Sequence, residues 1–348
     1  MNIEIKVANR IISNNSKPFI IAEMSGNHNQ SLDRAIQIVD AAANAGADAI
    51  KLQTYTADTI TVKGALTINE EGSLWKGKEL YDLYKEAYTP WEWHKPIFEH
   101  ANKRGLIAFS SPFDETSVDF LENLNVPLYK IASFENTDHI LLKKVAKTGK
   151  PVIMSTGVST IADIDESVRV LRENGCKHLV LLKCTSTYPA SPENSNLQAL
   201  PLLRSLFNCY AGLSDHTMGV GVSVAAVVLG AVVIEKHFTL SRAEGGVDAA
   251  FSLEPDELKS LVVETERAFL GLGKPFLGIQ PAEKENVKYK RSLYIVKDIK
   301  AGEAFTKENI DSKRPAFGVH TRNYELILGK KANVDIRQGT ALSWDLIK

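Results

Sequence analysis

Eight short runs of β-type residues, spaced by helical patterns and joined each time by one kind of turn, constrain this chain more than any other feature. The runs lie at 19–24, 49–55, 107–112, 128–133, 151–156, 178–184, 209–215 and 232–238. Between them apolar residues recur at helical spacing, as at 32–45, 91–103, 161–173 and 255–270. Gly46, Gly105, Gly149, Gly175 and Gly230 sit just before the second, third, fifth, sixth and eighth runs, and Asn125 and Asn208 hold that place before the fourth and seventh. Glycine, and after it asparagine, is what a left-handed helix C-cap accepts. Seven joints of one type predict a βα repeat, and eight parallel strands in one domain close best into an α/β (β/α)8 TIM barrel. A doubly wound open sheet is the competing arrangement. The lack of G-x-G-x-x-G after the first run counts against its dinucleotide-binding form.

Charge divides the chain. In total 41 Lys and Arg face 42 Asp and Glu, but residues 284–348 hold 14 and 8 of these, leaving 27 and 34 for the remainder. The change follows the Gly/Pro-rich stretch Leu272-Gly-Lys-Pro-Phe-Leu-Gly. We expect a catalytic barrel over 1–271, a linker over 272–285 and a small basic domain over 286–348. The near-neutral total argues against nucleic acid or a membrane surface as partner. The longest weakly polar run, 219–234, is broken by Ser223 and glycines and is too short for a bilayer span. Residues 1–6 lack an apolar leader core, and Cys176, Cys184 and Cys209 form an odd set without metal-like spacing, so a cytoplasmic location is expected.

Barrel sites form at the C-terminal ends of the strands, and here nearly every run ends polar. Glu23 closes the first; Lys51 and Gln53 share a face of the second; Ser110 and Ser111 end the third. Lys130 and Ser133, Ser155 and Thr156, and Lys183 and Thr185 end the next three. Ser214-Asp215-His216 and Glu235-Lys236-His237 end the last two. Lysines and hydroxyls converging on one mouth would bind a phosphate or carboxylate, with one or two lysines expected in structural ion pairs instead. His216 and His237 fall at equal depth on adjacent runs, where two imidazoles can meet at one metal and leave positions open for substrate. His178 starts its run, on the wrong face. His94, His100 and His139 lie on helical segments, and His28, in the first loop, is a possible site residue. The excursion at 57–89 exceeds an ordinary βα loop and carries Trp75, Tyr81, Tyr84 and Tyr88, so it is expected to cover the mouth.

These residues stand in motifs that resemble the sialic acid synthase family. The resemblance is carried by Ile21-Ala-Glu-Met-Ser-Gly-Asn-His-Asn, Ile50-Lys-Leu-Gln, Tyr129-Lys-Ile-Ala-Ser, Met154-Ser-Thr-Gly, Cys184-Thr-Ser-Thr-Tyr-Pro, Gly212-Leu-Ser-Asp-His-Thr and Glu235-Lys-His-Phe-Thr. The tail, with Arg291-Ser-Leu-Tyr, Lys313-Arg-Pro and Leu328-Gly-Lys-Lys, resembles the family's antifreeze-like (SAF) domain. Within the family, Leu74-Trp-Lys-Gly and Tyr88-Thr-Pro-Trp-Glu-Trp-His are most similar to the pseudaminic acid synthases.

The resemblance implies condensation of phosphoenolpyruvate with an N-acetylated amino sugar, here 2,4-diacetamido-2,4,6-trideoxy-L-altrose, with a divalent metal, Mn2+ or Mg2+. It implies phosphoenolpyruvate on Lys51, Gln53, Ser110, Lys130, Ser133, Ser155 and Ser214, metal on His216 and His237, and sugar on Glu23, Tyr188 and Asp248. Glu23 is the candidate for proton handling. It further implies a homodimer in which the tail is swapped and Arg314 covers the partner's sugar site. The family usually places Asp-His after the glycine pair near the last strand, whereas this chain reads Gly246-Val-Asp248-Ala249, a departure that weighs against N-acetylmannosamine. The alternatives are the same chemistry on another sugar, as in N-acetylneuraminate or legionaminic acid synthases, and a Schiff-base aldolase using Lys130 or Lys183.

Overall fold

A computed structural model describes residues 4–71 and 73–348; Met1–Ile3 of the opening segment lie outside it. Two compact units follow one another, Met1–Gly273 and Lys274–Lys348.

In the first unit an antiparallel pair, β1 (Ile5–Val7) and β2 (Arg10–Ile12), precedes the barrel. The eight barrel strands are β3 (Phe19–Glu23), β4 (Ala49–Thr54), β5 (Ile107–Pro112), β6 (Tyr129–Ile131), β7 (Val152–Ser155), β8 (Leu179–Cys184), β9 (Tyr210–Ser214) and β10 (Val233–His237). All are parallel, and β10 pairs with both β3 and β9, closing the ring. Gly46, Gly105, Asn125, Gly149, Gly175, Asn208 and Gly230 all have positive φ, so the repeated joint is the left-handed cap the sequence suggested. Helices between strands bury one stripe each. In Leu32–Ala45 the buried residues are Ala35, Ile38, Val39, Ala42 and Ala45, the spacing of a single helical face. The helix predicted over 255–270 runs two residues further, as Pro255–Leu272.

The excursion after β4 carries two helices, Ala57–Ile60 and Leu80–Ala87. His28 holds it to the first loop. The backbone N–H of Gln30 donates to Nδ1, so Nε2 carries the proton and donates to Thr89 Oγ1 at 3.1 Å. The ring is buried, and burial lowers its pKa to about 4. His28 is therefore a neutral packing residue. His94, buried against Phe98 and Phe120 and bonded to Thr54, is another.

The second unit pairs β11 (Ser292–Ile295) with β12 (Ile310–Lys313) in antiparallel register around its own core, which includes Leu293, Phe305, Ile310, Ile327 and Leu342. Among the described residues no helix is long and apolar enough to cross a membrane.

Candidate active site

At the C-terminal ends of the strands lies a cavity of about 300 Å³. Lys51, Gln53, Lys130, Ser133, Ser155, Tyr188, Ser214, His216, His237 and Asp248 all line it. Strand parity decides which other residues reach it. Ladder partners share a face, and the register pairs Glu23 with Lys51 and Gln53 with Ser111. Ser111 therefore faces inward, where it accepts from Lys51 Nζ at 3.1 Å. Ser110 faces the helices: its hydroxyl is 2.6 Å from Thr54 Oγ1, which in turn meets His94. The expectation of phosphoenolpyruvate on Ser110 is thus corrected, because one residue of phase turns a side chain to the other face.

The same alternation sorts the lysines. Lys183 turns away, bonding Cys184 O, and Cys184 takes the inward place. Lys236 also turns away, to a buried ion pair with Asp215 at 3.0 Å. Lys51 and Lys130 remain in the cavity, and each already faces a carboxylate: Lys51 meets Glu23 at 2.5 Å and Lys130 meets Glu235 at 3.4 Å. Burial works against the Lys51 ammonium, but Glu23 and then Glu235 outweigh it and raise its pKa; for Lys130 burial wins and the pKa falls. The cavity therefore offers an anion donors rather than surplus positive charge. These are the two ammonium groups, Gln53, and the hydroxyls of Ser133 and Ser155; the Ser214 hydroxyl donates to Glu235 at 3.3 Å.

Glu23 lies beneath the cavity wall. It is 1% exposed, bound by Lys51 and by Gln53 Nε2 at 3.0 Å. Burial raises its carboxyl, against the opposing pull of Lys51. A second carboxyl in the cavity, Glu135, is one that sequence reasoning missed. Glu135 closes the short 3-10 turn Ser133–Glu135 after β6, lines the cavity, and has an Oε2 that is buried without a hydrogen-bond partner. Burial raises its carboxyl to about 7, against the opposing pull of Lys130. An acid at that value can both give and take a proton near neutrality.

His216 and His237 meet as their register requires, since Ser214 and Glu235, two residues before each, are ladder partners. Their ring centroids are 5.3 Å apart. His216 Nδ1 donates to Thr185 O at 2.9 Å, and the ring also bonds the Cys184 side chain, which raises its pKa against the opposing effect of burial. His237 Nδ1 is buried with no hydrogen-bond partner; Asp248 Oδ2, at 3.6 Å, is too far. Burial, then His216 and the nearby lysines, hold His237 well below its ordinary pKa, so it stays neutral. A neutral imidazole with an orphaned buried nitrogen suits a metal ligand. Among the described residues no third His, Cys, Asp or Glu completes a preformed cage, so a metal here would take further oxygens from substrate or water. Burial pushes the Cys184 thiol up, but the neighbouring His216 overcomes this and brings it to about 6.

Aromatic and aliphatic side chains complete the wall. The excursion supplies Ile60, Ile68, Trp75, Leu80, Leu83 and Tyr84, so it covers the cavity as expected. Asp248 accepts a hydrogen bond from Ser25. Its neighbour Ala249 is buried and does not line the cavity, whereas Val247 does. The chain's departure from the family's Asp-His pair therefore acts away from the wall, and Val247 touches the space instead.

A barrel with an anion-binding donor cluster and two facing imidazoles at its mouth, followed by a small β-rich unit, defines a class. Residues 38–275 match the NeuB family and residues 290–348 match the SAF domain; the chain belongs to the NeuB family. It is 46% identical over 329 residues to the pseudaminic acid synthase of Campylobacter jejuni, covering 94% of this chain and 95% of that one. It is 41% identical to the pseudaminic acid synthase of Helicobacter pylori, covering 95% and 98%. Among solved structures, an N-acetylneuraminic acid synthetase from Leptospira borgpetersenii superposes with TM-score 0.73 at 34% identity, covering 82% of this chain and 95% of that one.

Proposed function

We propose that the chain is a pseudaminic acid synthase, condensing phosphoenolpyruvate with 2,4-diacetamido-2,4,6-trideoxy-L-altrose. The observation that carries this is one cavity holding both Lys51 and Lys130 with their serines and the His216–His237 pair. The 46% identity to a synthase of that name points to the sugar.

The enol carbon C3 of phosphoenolpyruvate bonds to the sugar aldehyde carbon as the C=O π bond breaks and its oxygen takes up a proton; positive charge develops at C2, and water adds there and loses a proton. The C2–O bond to phosphate then breaks, the C2 hydroxyl gives up its proton to leave a ketone, and phosphate departs. Lys51, Lys130, Ser133 and Ser155 hold the phosphate and carboxylate, which supplies orientation and stabilises charge as it shifts. A divalent ion, Mn2+ or Mg2+, held by His216 and His237, would supply Lewis-acid polarisation of the aldehyde oxygen. Glu135 takes the proton from the attacking water. Glu135, its carboxyl raised by burial to about 7, should therefore govern the rate: kcat/KM rises through about 7 as it loses its proton. In Glu135→Gln that limb of the pH–rate profile should vanish and turnover should fall roughly 10²-fold or more. A limb retained in the variant would assign it elsewhere.

Asp248 and Tyr188 bind the sugar, and Arg314, exposed just after β12, serves the partner's cavity in a swapped homodimer. Each Arg314→Ala or His216→Gln protein alone should be nearly inactive, whereas mixed subunits should regain activity. No recovery after proven subunit exchange would place Arg314 over its own barrel. The three free, buried cysteines favour the cytoplasm.

The direct assay is phosphate release from phosphoenolpyruvate. It should require the diacetamido sugar and should not occur with N-acetylmannosamine. Comparable use of N-acetylmannosamine would overturn the choice of sugar.

A further inference from the structure

The strand ends account for the polar part of the cavity, yet its apolar wall has no role in the chemistry above. Trp75 belongs to that wall, and it is pinned. Its indole Nε1 donates to Val247 O at 3.0 Å. Its ring lies 5.9 Å from that of Tyr188, which lies 4.5 Å from that of His216. The Val247 side chain is wedged over Gly26, where even a methyl group would collide with it.

Two consequences follow. Tryptophan has a single polar hydrogen, and Val247 O already takes it, so Trp75 shows the cavity only carbon. It also lines the same cavity as the histidines, one aromatic ring beyond Tyr188 from His216. A sugar whose aldehyde lies by His216 and His237 can extend past Tyr188 toward Trp75.

We propose that Trp75, backed by Val247, is the specificity-determining residue that selects an acceptor sugar with a deoxy, methyl-bearing far end. The inference rests on the condensing reaction proposed above and adds which part of the sugar is read and by what. A methyl group gains apolar contact there. A hydroxymethyl or longer polyol end gives up its water hydrogen bonds to a surface with no donor or acceptor. Discrimination by an apolar pocket against an added hydroxyl is of order 10²-fold.

The test uses the full chain with phosphoenolpyruvate and compares the 6-deoxy diacetamido sugar with its 6-hydroxy counterpart. The wild type should favour the 6-deoxy sugar by about 10- to 100-fold in kcat/KM. Trp75→Ala should bring the ratio near one, chiefly by losing the 6-deoxy substrate, and Trp75→Phe should keep most of it. Calorimetric binding of the two reduced, unreactive alditols without added metal should show the same order, in wild type and variants. Trp75 is half-buried in the excursion rather than in the barrel core, and an unchanged melting temperature would verify that the variants fold. Equal loss on both sugars in Trp75→Ala, or an unchanged ratio, would overturn the inference. If the wild type turned over both sugars equally, Trp75 would not select, although the condensing reaction would stand. If it turned over neither and bound neither alditol, the reading of the reaction itself would fall.

Discussion

Replacing His237 with Leu is expected to abolish turnover while leaving the protein as stable as before, or more so. The imidazole is partly buried, and its Nδ1 is buried with no hydrogen-bond partner. A desolvated polar atom of that kind costs about 1–3 kcal/mol, which an apolar side chain of similar size does not incur. The fold therefore carries His237 at a loss, as expected of a group kept for chemistry. Loss of a principal electrostatic stabiliser lowers kcat by about 10²–10³-fold, and, at the proposed His216–His237 metal site, loss of one imidazole should remove metal binding as well. Denaturant unfolding and Mn2+ titration of metal-free His237→Leu measure both. A variant that unfolds far more easily, or that binds Mn2+ like the wild type, would contradict the assignment.

Asp215→Ala should have the opposite profile, a collapse of stability. Lys236 and Asp215 are both 1% exposed at their side chains, and Lys236 Nζ also donates to Thr217 O and Gly219 O. Asp215 in turn accepts from Thr217 N, Thr217 Oγ1 and Ser223 Oγ. Removing the carboxylate strands a buried ammonium and costs about 3–5 kcal/mol. Replacing both partners with apolar residues, as in Asp215→Leu with Lys236→Met, should recover much of that loss. Chemical denaturation of the single and double variants gives the answer, and a single variant within 1 kcal/mol of wild type would refute it. The contrast separates two neighbours in sequence: His237 serves the cavity, and Lys236, one residue earlier, serves the wall behind it.

That contrast also explains what could be read from the sequence. The barrel was legible because the left-handed joints are local: Gly46 or Asn208 needs only its own φ to announce a helix end. The depth of the two histidines was legible because both follow strands of matching pattern. Facing direction was not. Ser110 and Ser111 are equally polar, and polarity alone favours Lys183 over Cys184, yet the pairing of β5 with β4 and of β8 with β9 turns Ser111 and Cys184 inward. Register is a long-range property. Glu135 escaped notice because it sits in a turn beyond the strand pattern. Its signal, a carboxylate two residues past Ser133 in an otherwise neutral turn, was present but carried no periodicity to mark it. For the excursion, its aromatic content suggested a cover, but only the folded chain distinguishes Trp75, which lines the cavity, from Tyr81, whose hydroxyl is spent on Asp58.

The central claim is that this one cavity joins C3 of phosphoenolpyruvate to a diacetamido sugar and expels phosphate by breaking the C2–O bond. Phosphoenolpyruvate labelled with ¹⁸O at the bridging oxygen, incubated with the protein, Mn2+ and the sugar, tests it in one mass measurement. The account predicts that the label leaves with phosphate and that the sugar gains the three carbons of pyruvate as a nine-carbon acid. Label retained in the organic product, or labelled phosphate released at the same rate without sugar, would contradict it.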